Sequence, residues 1–272
     1  MNMGTNNIDS AVPAEARDFS VKDRVVLVTG SGQGIGRELA RQFAAAGAIA
    51  VVADLSLANS ENVAKEIKDA GGRALALSVD VSKKESVDTM VTAIEKEFGR
   101  VDVLVNNASI FSALVKRPFD EIPANEWQKV MDVNVNGVFF CAAAVAAGMR
   151  NRGFGRIINI SSASVHRGTK NYLHYVTSKS ALIGMTNSLA RELGPHGVTA
   201  NCIRPGTVAT EVAERAASLT AEIRQRNIDL QCIPRTIVPS DLVGITMFLA
   251  TPAASFITGQ TIACDGGYTH SF

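Results

Sequence analysis

Seven short apolar runs, rich in valine and isoleucine, punctuate the chain at 25–29, 48–53, 74–79, 101–105, 156–160, 198–203 and 260–263. Most are continuously apolar rather than alternating, so their residues need cover on both faces. The intervening stretches supply that cover. Apolar residues recur at helical spacing over 35–46, 59–70, the segment ending at Phe98, 126–149, 175–193 and 241–250. Buried strands alternating with helices predict a parallel sheet with helices on both sides. Because the alternation never breaks, the expected organisation is one doubly wound α/β domain of about seven strands over residues 21–272, preceded by a flexible leader over residues 1–20.

Charge and cysteine usage narrow the classes further. With 27 basic and 26 acidic side chains the net charge is +1, which offers no electrostatic footprint for nucleic acid. Hydrophobic residues make up 46% of the chain, enough apolar surface to offset the entropy of ordering it. A bilayer span needs an apolar run of roughly 20 residues. The nearest approach, 137–149, is shorter and alanine-rich, and reads as a packed helix; no membrane partner is expected. Residues 1–20 lack the basic start and apolar stretch of a signal peptide. Cys141, Cys202, Cys232 and Cys264 are widely spaced, form no C-x-x-C pair and have no histidine partners nearby. Reduced, buried thiols in a cytoplasmic protein are expected, with no metal site.

Between the first strand and first helix stands T-G-S-G-Q-G-I-G, residues 29–36. Lacking Cβ atoms, Gly30, Gly34 and Gly36 allow a tight turn and close approach of backbone to a pyrophosphate, whose charge the amides of a helix N-terminus stabilise. Placed after a strand and before a helix, this is the dinucleotide signature of a Rossmann domain. Asp54 ends the second strand, where a carboxylate accepts hydrogen bonds from ribose hydroxyls and repels a 2′-phosphate, so NAD is the expected cofactor. Capping of the next turn is the competing role for that side chain. Neither Gln33 nor Leu55, the neighbours best placed to reach the ribose, is basic, and Arg37 should point away along the helix.

A second constellation is Y-x-x-x-K at Tyr175 and Lys179, with Ser162 upstream. Positions four apart share a helix face, so the two side chains can enter one site. Singly, each has an ordinary explanation: an aromatic anchor, a solvated lysine, a turn-forming serine. Their place at the carboxyl ends of strands, where open α/β sheets bind ligands, favours chemistry.

Together these motifs resemble the short-chain dehydrogenase/reductase family over residues 25–267. The shared residues are T-G-x-x-x-G-I-G at Thr29, Asp80-Val81, N-N-A at 106–108, Asn134, Ser162, Y-x-x-x-K, Pro205-Gly206 with Thr210, and Asp265-Gly266-Gly267. One departure is Ser109, where many members have glycine. The resemblance implies that Asp80 and Val81 hold the adenine, that Asn107 and Ala108 lie along the cofactor, and that Val208 and Thr210 hold the carboxamide. Gln33, Ile35, Leu55, Pro205 and Gly206 complete the cofactor-contacting set, while Asn106 serves equally well as a brace for the central strand.

The implied reaction is hydride transfer between NAD(H) and a carbonyl or alcohol carbon. Tyr175 acts as general acid or base, Ser162 donates to the substrate oxygen, Lys179 favours the phenolate and holds ribose hydroxyls, and Asn134 holds a water that links Lys179 to solvent. Specificity should come from 110–115, 164–172 and 207–235, with Phe111, Leu114, His166 and Tyr172 forming a mostly apolar pocket with a few hydrogen-bonding groups. A small secondary alcohol or ketone is the expected substrate. His174 is expected on the rim, bonded to backbone. The stretch at His174-Tyr175 and the tail 254–261 resemble members oxidising 1-phenylethanol, and N-N-A-S-I those oxidising pyridoxal. The alternatives are an NADPH-dependent 3-oxoacyl carrier-protein reductase and a catalytically inactive nucleotide sensor. A homotetramer is expected from the resemblance, from the small side chains over 142–148 and from the apolar last strand.

Overall fold

A computed structural model describes residues 17–214 and 220–270. The expected leader therefore lies largely outside the described residues. Its last residues are not a free tail: Asp18 accepts a hydrogen bond from Ala253 N (2.9 Å), and the Phe19 ring stacks on Phe248 at 6.3 Å.

The first half of the sheet is made by β1 (Val25–Thr29), β2 (Ile49–Asp54), β3 (Arg73–Ser78) and β4 (Val103–Asn106). Its second half is β5 (Gly155–Ile160), β6 (Val198–Pro205) and β7 (Thr261–Cys264). All pair in parallel, in the order β3-β2-β1-β4-β5-β6-β7. Chain direction reverses across the sheet between β1 and β4, which opens a crevice above their carboxyl ends.

Strands β1 to β6 each feed two cores. From β1, Val26 and Val28 pack with Leu39 and Phe43 of α1 (Gly34–Ala45) and Leu249 of α9 (Val243–Ala250). Val25 and Leu27 face the other way, onto Ile94 of α3 (Lys84–Phe98) and Val145 and Met149 of α5 (Gly137–Arg152). This two-sided burial is why the runs are continuously apolar. Helix α2 (Leu57–Asp69) covers β2 and β3, with Ser56 as its N-cap, accepting from Asn59 N.

The long helix expected over 126–149 is interrupted. It runs as α4 (Ala124–Met131), then a π-helical turn at Asp132–Asn136, then α5. By length and composition the whole run, Ala124–Arg152, could cross a bilayer, but Cys141, Ala142, Val145 and Met149 of α5 are buried against the sheet and α3. The wider turn is anchored by Asn136 Nδ2 donating to Asp132 Oδ1 (3.0 Å), and it presents Asn134 inward.

Beneath the crevice, Asn106 Nδ2 donates to Asn159 Oδ1 (2.9 Å), and Asn159 Nδ2 donates to Thr186 Oγ1 (2.9 Å) on α7 (Leu173–Leu193). Asn106 is a brace between β4, β5 and α7. Cysteine burial departs from expectation at Cys232, which is exposed, whereas Cys141 and Cys202 are buried and Cys264 is half-buried; all four are free thiols.

Candidate active site

A cavity of about 1030 Å³ lies over the carboxyl ends of the strands, and its lining includes both Gly30 and Tyr268. Gly30 has φ +62°, and a Cβ there would sit 2.7 Å from Ala108 Cα, so the turn admits no side chain. Gly36 does not line the cavity. Its place is dictated by packing, since a Cβ would lie 2.4 Å from Gly30 O and 2.6 Å from Asn107 Nδ2.

The expected cofactor residues Gln33, Gly34, Ile35, Asp54, Leu55, Asp80, Val81, Asn107, Ala108, Pro205, Gly206, Val208 and Thr210 all line this cavity. Asp54 has two structural bonds: Oδ2 accepts from Gly32 N (2.9 Å) and Oδ1 from Ser56 N (3.1 Å). It thus anchors the glycine loop and caps the next turn while facing the cavity. Leu55 is exposed, and Arg37 is paired with Glu66 (2.9 Å) away from the cavity. Asp80 accepts from Ser82 Oγ (2.6 Å), and that bond, helped by Lys83, holds its carboxyl below the usual range. Asn107 Nδ2 donates to Thr29 O and Gly30 O (both 3.0 Å), locking β4 to the glycine turn.

At the centre of the cavity, α7 carries Tyr175 and Lys179 on one buried face, opposite Ser162 just beyond β5. Ser162 Oγ accepts from Ser164 N (3.2 Å), which leaves its own proton free to donate. Lys179 Nζ donates to Ile160 O (2.8 Å) and stands 5.9 Å from the Tyr175 ring centroid. Burial pushes the Tyr175 phenol up to about 12 against the opposing hydrogen bond from Ser162, and pushes Lys179 down to about 8. Burial thus favours the neutral form of both side chains.

Several expected roles change on inspection. Asn134 is buried outside the cavity wall; its Oδ1 accepts from Ile110 N (2.8 Å), and its Nδ2 donates to Ile110 O (3.2 Å) and Ser178 Oγ (3.1 Å). That side-chain amide ties the loop after β4 to α7. Tyr172 offers no free hydroxyl, because its OH donates to Phe111 O (2.9 Å) and its ring lies 4.9 Å from that of Tyr175. Leu114 is buried behind the wall with Val130, and His166 faces Arg204 rather than the cavity. Nor is His174 on the rim. It is fully buried with Nε2 3.2 Å from Glu126 Oε1, and burial holds its pKa below the usual histidine value.

The comparisons with known proteins agree with this geometry. A family model described as enoyl-(acyl carrier protein) reductase matches residues 30–269. A 3-oxoacyl-[acyl-carrier-protein] reductase from Synechocystis is 40% identical over 90% of this chain and 96% of its own length. The chain belongs to the short-chain dehydrogenase/reductase family. An NAD-dependent glycerol dehydrogenase from Listeria innocua is 34% identical, covering 93% of this chain and 96% of that protein. The solved structure of a candidate NAD(P)-dependent gluconate 5-dehydrogenase from Beutenbergia cavernae, with bound NADP, superimposes with a TM-score of 0.80 at 36% identity, covering 92% of this chain and 98% of that one.

Within this short-chain dehydrogenase/reductase, one residue at the cofactor end was not visible as a site residue in the sequence. Glu211, which opens α8 (Glu211–Glu214), accepts from Gly34 N at 2.8 Å. A carboxylate thus stands at the N-terminus of α1, on an amide suited to an anion, which fits a site built for a dinucleotide pyrophosphate. No sequence pattern links Glu211 to Gly34, 177 residues away. Because the carboxylate competes for the amide, Glu211→Ala is expected to lower the dissociation constant for NADH about two- to fivefold in a fluorescence titration. Unchanged or weaker binding would show that the contact does not oppose the cofactor.

Proposed function

We propose that this enzyme transfers hydride between NAD(H) and a small secondary alcohol or ketone, with Tyr175 as general acid and base. The observation that carries the reading is the convergence of Ser162, Tyr175 and Lys179 where the glycine-loop half of the cavity meets a wall of Ile110, Phe111 and Tyr172. The chemistry supplied by a bound nicotinamide is acceptance or donation of hydride at the reacting carbon. In the reducing direction, the Tyr175 phenol donates its proton to the ketone oxygen while the Ser162 hydroxyl holds that oxygen in line. In the oxidising direction, Tyr175 must first lose its proton, and an ordinary tyrosine with a pKa of about 10 resists this near neutrality. Lys179, held beside it at Ile160 O, supplies the positive field that an added cationic ring reinforces. Asn134 is a positioning residue that fixes Ile110 against α7.

NAD is the preferred cofactor in this reading. Around Asp54 the cavity is lined by Gln33, Leu55, Ser56 and Asn59, none of them cationic, so a 2′-phosphate would meet a carboxylate without a counter-charge. The second reading, an NADPH-dependent 3-oxoacyl carrier-protein reductase, draws support from the Synechocystis relative and is opposed by Asp54. A sensor without catalysis would have no need of the intact Ser162, Tyr175 and Lys179 set. We also read the protein as a homotetramer. On α5, Phe139, Ala143 and Ala147 are exposed beside small neighbours, and β7 is an edge strand next to the fully exposed Phe256. Free thiols fit a cytoplasmic setting.

Tyr175→Phe removes only the proton-transferring hydroxyl, so turnover of secondary alcohols with NAD is expected to fall about 100- to 10,000-fold while NADH binding stays near wild type. A variant retaining more than a tenth of the activity would remove Tyr175 from the acid–base role. Steady-state kinetics with both cofactors should show kcat/KM favouring NAD by roughly 100-fold, with Asp54→Ala narrowing the gap from both sides. Equal efficiencies on wild type would leave Asp54 as a loop anchor and revive the reductase reading. Light scattering at micromolar concentration should give the mass of four chains; the mass of one chain would refute the assembly.

A further inference from the structure

The wall of the cavity next to Tyr172 and Ser162 carries polar groups that the reaction does not use. Lys116 lines it, with Nζ 5.6 Å from the Tyr172 ring centroid. Arg167, the last residue of α6 (Ser164–Arg167), lines it too; its guanidinium donates to Asn227 Oδ1 (3.1 Å) and to Tyr268 OH, and lies over the Tyr268 ring. Among the described residues neither cation has a carboxylate within ion-pair distance. Burial lowers the Lys116 pKa, and repulsion from Arg167 adds to the effect, so the two charges feel each other across this wall. On the same segment, Ser164 Oγ and Thr169 Oγ1 are buried without a hydrogen-bond partner among the described residues, and both residues line the cavity.

Acidic side chains do not answer these charges. The carboxylates lining the cavity are Asp54 and Asp80, at the glycine-loop end and bonded as described, and Asp132, which accepts from Gln128 (2.8 Å) and Asn136 (3.0 Å). Arg167 is exposed and solvated, so the cost of lacking a partner falls on the half-buried Lys116 and on the two buried hydroxyls. An oxyanion on this wall opposes both charges and offers an acceptor to hydroxyls turned toward it. Ile110, Phe111 and Ile223 add apolar surface to the cavity lining, which suits a short carbon spacer.

We propose that Lys116, Arg167, Ser164 and Thr169 form an anion subsite, so that the substrate reacting at Tyr175 is a hydroxy or oxo acid whose carboxylate lies a few carbons from the reacting carbon. This rests on the dehydrogenase reading and refines its substrate from a neutral, mostly apolar alcohol to an anionic one.

The test separates the two. In wild type, kcat/KM is compared for 3-hydroxybutanoate, 4-hydroxypentanoate and 5-hydroxyhexanoate against their methyl esters. In the NADH complex of Tyr175→Phe, calorimetric titration with 5-oxohexanoate and methyl 5-oxohexanoate reads the subsite without turnover. The best acid is expected to exceed its ester roughly tenfold in both readouts, because the anion gains charge-assisted hydrogen bonds that the ester cannot make. That ratio should fall toward one in Lys116→Met/Arg167→Met and shrink with added salt. Because it is taken within one protein, a general loss of activity does not imitate it. Acetoacetyl-CoA serves as a third arm: a preference for it over the free acid, lost in the double variant, would assign the anion to a thioester's phosphates. Esters that match or exceed their acids, absence of acid binding, or a ratio unchanged in the double variant would each overturn the subsite. Activity surviving in Tyr175→Phe would overturn the proton-transfer role and leave the acid-to-ester ratio standing.

Discussion

Parallel strands buried on both faces bring every strand's carboxyl end to one rim of the sheet. All else in this molecule follows from that constraint. The glycine turn after β1, Asp54 after β2, Asp80 after β3, Asn107 after β4, Ser162 after β5 and Gly206 after β6 meet over one cavity because the strands that carry them are parallel and in register. The reversal of order between β1 and β4 parts the covering helices there and leaves room for a ligand. Packing makes the arrangement stiff. Asn107 bonds two carbonyls of the glycine turn, and the chain of Asn106, Asn159 and Thr186 ties the centre of the sheet to the helix that carries Tyr175.

Burial also sets the chemistry. Tyr175 and Lys179 lie in a poorly hydrated pocket, so each is pushed toward its neutral form. In the proposed reaction the phenol, near 12, is held protonated near neutrality but gives up its proton reluctantly, so both directions gain from a positive charge beside it that favours the phenolate. The same economy governs the cofactor end, where Gly34 N is occupied by Glu211 from a segment distant in sequence. Helix N-termini attract anions, and here the protein provides its own.

The opposite wall shows a different use of charge. Lys116 comes from the loop after β4 and Arg167 from the end of α6, and each lies near an aromatic ring. Their presence turns a pocket with an apolar floor into one that discriminates by charge, which hydrophobic contacts alone do poorly.

Much of this was legible in the chain itself. Continuous apolar runs determined the parallel sheet, because only a sheet covered on both faces tolerates them. The glycine turn, Asp54, Ser162, Tyr175 and Lys179 were legible because local backbone geometry and helical spacing place them. Tertiary structure alone decided what those groups touch. The π-helical turn at Asn134 was hidden inside a helical pattern, since a single widened turn scarcely disturbs periodicity. His174 and Leu114 stand beside cavity residues in sequence, yet are buried away from the cavity, because neighbouring positions on a helix or loop point in different directions. Tyr172 spends its hydroxyl on Phe111, while Lys116, Arg167 at the end of α6 and Glu211 at the start of α8 are placed by packing across the whole domain. Short-range pattern determines an element and its faces; which charges meet across a cavity is a property of long-range contacts that no local spacing encodes.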